Sequence, residues 1–307
     1  MKELREVGPE TIADAWNALA GDKYRIESDQ VAQNLLDHPL FNAQASFWDD
    51  GSFVAIKHSA ASLYQGPNLS TAHLSLFAGP RASTLLRPVI DSLRGQEYDS
   101  LVVGMDSGHF LPGAPVEVPW IEPWLIEEGF VAGGEAVDLE RDVRDYVFEV
   151  PPLPGERRTL GEDDLPSLER FLEREFPGRW RYDVMRKVNV EGPQTVFGLF
   201  IDGECEGFAL LQGEGCHLPI GGAVWRSDLG PNWGSLGPIG VSKALRGHGQ
   251  GYTLLGAALL ELKRRGAHQS IIDWTGLISF YGAHGFKVNR TYRSYRLDLS
   301  VDRQPSA

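Results

Sequence analysis

The chain has 307 residues, 42% of them hydrophobic and 23% charged, with a formal net charge of −13. That length favours two domains, each with its own core, and the composition is that of a globular protein rather than a disordered one, the terminal RQPSA excepted. The longest apolar runs, such as 254–262, are too short to span a bilayer, and two cysteines outside any CxxC or Cys/His spacing indicate neither a disulfide framework nor a metal site.

Residues 1–150 carry 10 Lys and Arg against 24 Asp and Glu, a balance of −14, whereas 151–307 stand at +1. The first half should therefore repel nucleic acid and anionic membrane, while the second tolerates an anion. Met1 to Glu10 is charged and unlike a signal sequence, so the expected location is cytoplasmic.

In chain order, the first element read is a strand, AHLSLFAG (Ala72–Gly79), followed by an amphipathic helix over Ser83–Arg94 and a buried-type strand in DSLVVGMD (Asp99–Asp106). The stretch Ser107–Trp120, rich in proline and aromatics, reads as a loop that lines a binding site or crosses the surface. Ile126–Asp142 reads as a helix end, Gly-Phe, and two short alternating strands. Val150–Arg158, with three prolines and a glycine, reads as a linker between domains at 1–150 and 151–307.

Past the linker, QTVFGLFIDGECEGFALLQG forms a hairpin turning at Asp202-Gly203. Gly221–Ser235 carries Trp225, Arg226, Asp228 and Trp233; aromatics with a carboxylate could receive an amine, and a packed tryptophan pair is the competing reading. Then come a strand over Gly234–Val241, a helix over Gly251–Arg265, a strand over Gln269–Thr275 and a closing segment Gly282–Ser300. The strand, helix, strand, helix, hairpin order of the first half thus recurs, and the Gly-Phe pairs at 129–130 and 285–286 mark the same point in each copy. A duplicated domain explains the recurrence.

Between the strand and helix of the second copy lies Arg246-Gly247-His248-Gly249-Gln250-Gly251. The first N–H groups of a helix lack internal partners and sit at the positive end of its dipole, and glycines let an anion approach them. Lys243, Arg246 and His248 add charge beside this turn. No Gly-Lys-Ser/Thr follows, so it is not a P-loop, and its GxGxG spacing late in the domain does not fit a Rossmann fingerprint.

The hexapeptide 246–251 resembles the Arg/Gln-x-x-Gly-x-Gly/Ala acyl-CoA loop of the GNAT superfamily of N-acetyltransferases, and Tyr281 to Phe286 is similar to that family's Tyr-x-x-x-Gly-Phe. The resemblance is good over 157–300 and reaches the first half only through the repeat. It implies an α/β fold with a mixed sheet: two tandem GNAT-like domains, each a mostly antiparallel sheet flanked by helices. The first is a degenerate copy, since LFAGPRASTLLRP replaces the glycine loop.

The resemblance further implies acetyl-CoA as co-substrate, held by Ile239, Gly240 and Val241 of the strand and by Arg246, Gly247, His248, Gly249, Gln250, Gly251 and Tyr252 of the loop. Tyr281 falls at the family's general-acid position, where a phenol protonates the departing thiolate. No base stands out among Glu204, Glu206, His217, Asp228 and Asp273. The expected reaction is acetyl transfer to a small-molecule primary amine by direct attack in a ternary complex, without metal, nucleic acid or membrane, and with a homodimer left open. The alternatives are a non-catalytic acyl-CoA-binding or regulatory protein, and an aminoacyl or thiol-conjugate type of acyltransferase.

Overall fold

The computed structural model describes residues 1–59 and 70–300; the terminal RQPSA lies outside them. Two compact units are present. Residues 1–59, 70–136 and 290–300 form one, and residues 137–289 the other. The units are thus not the contiguous segments 1–150 and 151–307 expected from the proline-rich linker. The closing strand of each half clusters with the other half: Arg296–Asp298 pair antiparallel with Ser100–Val102 in the first unit, and Val137–Asp142 with Gln269–Thr275 in the second. Each half also closes on a single twelve-residue strand, Val131–Asp142 or Lys287–Asp298, where two short strands were expected.

In the first unit, Phe47–Asp49, Ser52–His58 and Thr71–Ala78 form an antiparallel ladder. Thr71–Leu74 then run parallel to Ser100–Val103, joined by the crossover helix Ala82–Gly95. The segment 107–115 is buried, so it is part of the core rather than a surface crossover. It is anchored through its neighbour Asp106, whose carboxylate meets the fully buried Lys57 ammonium at 2.7 Å.

The second unit repeats this pattern. Val196–Ile201 and Glu204–Gly213 form the hairpin, with Asp202 and Gly203 both at positive φ (51° and 83°) in its turn, as a two-residue hairpin demands. Glu204–Gly213 pairs antiparallel with Trp233–Val241. The helix Gln250–Arg264 connects Trp233–Val241 to the parallel strand Gln269–Thr275. Its buried face, Leu254, Leu255, Ala258, Leu259 and Leu262, seals the sheet, and Gly256 admits the Phe148 ring, which would lie 2.3 Å from any Cβ there. On the other face, Leu168, Phe171, Leu172, Val184 and Val188 from the helices Leu165–Glu175 and Arg179–Glu191 complete the core. Each unit is a mostly antiparallel mixed sheet flanked by helices, the fold class read from the sequence. No helix among the described residues is long and apolar enough to cross a membrane.

Candidate acyl-CoA site

The strand Trp233–Val241 places the site. It pairs with Gln269–Ile271 only through Trp233, Gly234 and Ser235. Beyond Ser235 the two strands diverge, and among the described residues the edge of Leu236–Val241 is open. On its other edge the strand carries a bulge, since Ala209 faces Ile239 while Leu211 faces Leu236, so one extra residue falls in the Gly237-Pro238 segment. Ser242 donates its N–H to Glu206 at 2.9 Å, which fixes the alternation of the ladder. The N–H and C=O groups of Ile239 and Val241 therefore point away from the hairpin, into the opening. Among the described residues only the Val241 carbonyl has a side-chain hydrogen bond there, from Arg246 Nε at 3.4 Å.

After Val241 the chain makes one tight turn, Lys243–Leu245, and reaches the glycines. Gly247 and Gly249 both adopt φ of 80°, the left-handed region, and Gly249 is the residue that opens the helix. The first N–H of the helix with a partner is that of Thr253, which donates to the Gly249 carbonyl at 3.0 Å. The N–H groups of residues 247 to 252 meet no acceptor among the described residues. A run of free amides at the positive end of a fifteen-residue helix is an anion-binding concavity. The side chains do not block it: a Cβ on Gly247 would touch nothing within 4 Å, and Lys243, Arg246 and His248 are exposed around it.

The loop is braced from below. Glu175 accepts the Lys243 N–H at 2.9 Å and lies 4.0 Å from the Arg246 guanidinium. Burial works to raise its carboxyl, but those hydrogen bonds and the charges of Arg174 and Arg246 outweigh it and hold Glu175 below the usual carboxylate range. Gln250 donates to the Pro154 carbonyl at 3.0 Å and accepts from Arg157, so the proline-rich segment is strapped to the helix start. Gly240 has a steric role of its own, because a Cβ there would lie 2.4 Å from the Phe176 ring. Phe176 packs with Phe171, Trp180 and Phe208 and closes that face of the strand.

Tyr281, 6% exposed, sits on the short helix Ile278–Gly282. Burial, and after it the negative charge of Asp273, push its phenol well above the ordinary range against the opposing hydrogen bond from Thr275. It is therefore a proton-bearing group at neutral pH. Asp273 also lies 3.3 Å from where a Gly237 Cβ would project, and 2.9 Å from that of Gly221. One carboxylate thus neighbours both the bulge of the open strand and the phenol. Beside it, Arg179 covers the Trp274 ring at 4.3 Å.

His284 ends the same helical segment. Its Nδ1 hydrogen-bonds the Tyr146 hydroxyl at 2.6 Å, and its ring lies 4.1 Å from that of Tyr252. Burial lowers its pKa to about 4, so it is neutral. This buried histidine had no signal in the sequence beyond its place inside the Tyr-x-x-x-Gly-Phe run.

The residues singled out from the sequence fall into one region: Ile239, Gly240 and Val241 on the open strand, Arg246 to Tyr252 on the turn, and Tyr281 buried among Thr275 and Asp273. The Trp225–Trp233 stretch is different. Both rings are buried, 1% and 7% exposed, and the Trp225 indole donates to Asp138 at 3.0 Å. Trp225 is a packed tryptophan held by Asp138, and Trp233 borders a cavity beside Gln212 and Cys216, away from the open stretch Leu236–Val241. Sequence reasoning missed Glu175, Phe176 and Arg157, whose importance arises only from packing against the turn.

The first unit has the corresponding strand-turn-helix without the concavity. Ser52 Oγ accepts the Arg81 N–H at 3.0 Å and lies 2.4 Å from where a Gly79 Cβ would be, and Asp49 takes the Arg81 guanidinium at 2.7 Å. Ser52 and Asp49 thus occupy the Arg81 N–H and guanidinium that would otherwise face an anion.

Residues 165–286 match the acetyltransferase (GNAT) family model, so that segment of the chain is a GNAT acetyltransferase domain. Among solved structures, it is similar to a glucosamine N-acetyltransferase region of a fungal multi-domain GH3 β-N-acetylglucosaminidase, at 21% identity and a TM-score of 0.77. That match covers 95% of this chain and 37% of the other, so the chain spans well under half of that protein. A GCN5-related N-acetyltransferase from Sphaerobacter thermophilus is similar at 15% identity, covering 95% and 92% of the two chains with a TM-score of 0.67. A tandem GNAT protein from the clavulanic acid biosynthesis pathway follows at 16% identity, 98% and 96% coverage and a TM-score of 0.63. At these identities the likeness is one of fold. No curated protein matches the chain.

Proposed function

Taking the GNAT acetyltransferase domain as premise, we propose that this chain transfers an acetyl group from acetyl-CoA to the primary amine of a small molecule, in a tandem arrangement whose first unit holds no coenzyme. The observation that carries the reading is the run of unpartnered amides from 247 to 252, fed by a strand whose edge is open from Leu236 to Val241.

The amides and the exposed Arg246 and Lys243 would hold the diphosphate. The outward N–H and C=O groups of Ile239 and the N–H of Val241 would pair with the amide-bearing pantetheine arm as an added strand does. That register brings the thioester to the Gly237-Pro238 bulge, beside Asp273 and Tyr281. Asp273 supplies the negative charge that draws a protonated amine toward the thioester. The ammonium first gives up a proton to water. As the free amine attacks the thioester carbon and the C–S bond breaks, the Tyr281 phenol gives its proton to the leaving sulfur, and the proton shed by the new amide nitrogen passes through water to restore the phenol. Dependence on acetyl-CoA implies a cytoplasmic location, where that thioester is available.

The test is a screen for CoA release from acetyl-CoA over aminoglycosides, polyamines, amino sugars and peptide N-termini. Thiol release with one class supports the reading. If no acceptor releases CoA while acetyl-CoA still raises the melting temperature, the chain is an acyl-CoA-binding protein instead.

A further inference from the structure

At the opposite end of the hairpin from the glycine turn, the second unit holds a group of side chains that acyl transfer does not use. Lys187, on the helix Arg179–Glu191, has a fully buried ammonium. Its Nζ lies 2.6 Å from Glu191 Oε1, 2.8 Å from the Leu218 carbonyl oxygen and 2.8 Å from Cys216 Sγ. The thiol comes from the loop that follows the strand Glu204–Gly213. It borders a cavity of about 450 Å³ lined by Glu191, Gln212, Cys216, His217, Trp233 and Arg265 among others.

Both partners are held in place. Glu191 Oε1 accepts the N–H groups of His217 at 2.9 Å and Leu218 at 2.7 Å, tying the loop to the helix. Gln212 clamps the other side of the loop through both backbone groups of Ile220, at 2.8 and 3.1 Å. Cys216 is half-buried with its sulfur at the cavity wall, whereas Cys205 is buried and its thiol donates to the Gly207 carbonyl. A small oxidant therefore has access to one thiol, and that thiol touches an amine held at bonding range. Such fixed juxtaposition greatly raises the rate of joining two groups.

We propose that Cys216 and Lys187 form an oxidisable pair, which hydrogen peroxide converts into a covalent N–O–S bridge between the helix Arg179–Glu191 and the loop 213–220. The Lys187 ammonium first gives up a proton to solvent by way of Glu191. The Cys216 sulfur then attacks one peroxide oxygen; the O–O bond breaks, and S–OH and one water result. A second peroxide takes the remaining electron pair as the N–O bond closes, and two waters leave. Amine, thiol and two peroxides thus give the bridge and three waters, with sulfur and nitrogen each oxidised by two electrons.

The bridge anchors the C-terminal turn of a helix whose N-terminal turn carries Arg179 over Trp274 and Trp180 against Phe176. Oxidation is thereby coupled to the walls of the acyl-CoA site, although the bridge itself does not depend on the acetyl-transfer reading.

The experiment is peptide mapping of the full chain after peroxide treatment, digested without reductant. The expected product is one cross-linked species joining the Lys187 and Cys216 peptides, with one oxygen gained and two hydrogens lost. Dithiothreitol should reverse it, Cys216→Ser should abolish it and Cys205→Ser should leave it intact. Recovery of Cys216 as a dimedone-trapped sulfenic acid or a sulfinic acid beside a free Lys187 peptide overturns the proposal. So does an unmodified Cys216 at peroxide levels that oxidise the exposed Met1. Wild-type protein alone decides between these outcomes, whether or not a Lys187 variant folds.

Discussion

Replacing Gly249 with alanine tests the reading of the turn most directly, because the same helix carries its own control. Gly249 has φ of 80° and precedes the helix Gln250–Arg264; Gly266 has φ of 93° and follows it. A Cβ on Gly266 would meet nothing within 4 Å, and one on Gly249 would meet only the flexible Leu153 side chain at 3.4 Å. Holding alanine in the left-handed region costs about 1–2 kcal/mol at either end. In a unit of this size that lowers Tm by roughly 2–8 °C for both variants. Their ligand binding should differ. At position 249 the strain relaxes by turning the amides of 249 to 251 away from their common focus. Loss of one charge-assisted amide-to-phosphate bond, about 1.5–3 kcal/mol, weakens CoA ~10- to 150-fold. Titration calorimetry with CoA on Gly249→Ala, Gly266→Ala and wild type reads the contrast. Wild-type affinity in Gly249→Ala, or equal weakening in Gly266→Ala, would refute the assignment of the diphosphate to these amides.

Tyr281→Phe keeps the ring and removes the proton donor, so kcat should fall ~10²- to 10⁴-fold with little change in the KM for acetyl-CoA, measured by thiol release; an unchanged kcat removes Tyr281 from the chemistry. His284, with a pKa near 4 against an ordinary 6.5, binds its proton more weakly in the folded chain. Its contribution to stability is present above about pH 6.5 and is lost as pH falls toward 4, by about 1–3 kcal/mol. Thermal melts across that range should fall less steeply for His284→Phe than for wild type, and parallel curves would show that His284 is not the group responsible. Trp225→Phe leaves Asp138 without its indole donor and should cost about 1–3 kcal/mol in a denaturant titration without weakening CoA. A CoA defect in that folded variant would return Trp225 to the binding site.

Local sequence determined the elements that local physics controls. The hairpin at Asp202-Gly203, the helix expected over Gly251–Arg265 and found at Gln250–Arg264, and the strand Gln269–Thr275 were legible from turn chemistry and periodicity. The glycines at 247 and 249 were legible as well, because a left-handed turn before a helix can be met by few residues. What the sequence left open depends on pairings between distant segments. Whether Val137–Asp142 closes its own half or the other is a matter of ladder register, and both strands carry the same alternating pattern. Burial of Trp225, the bracing of the turn by Glu175 and Phe176, and the meeting of Asp273 with Gly237 and Tyr281 likewise arose only in three dimensions. A residue's own spacing says which way it faces along its element, but which group it meets is set by the packing of other elements against it.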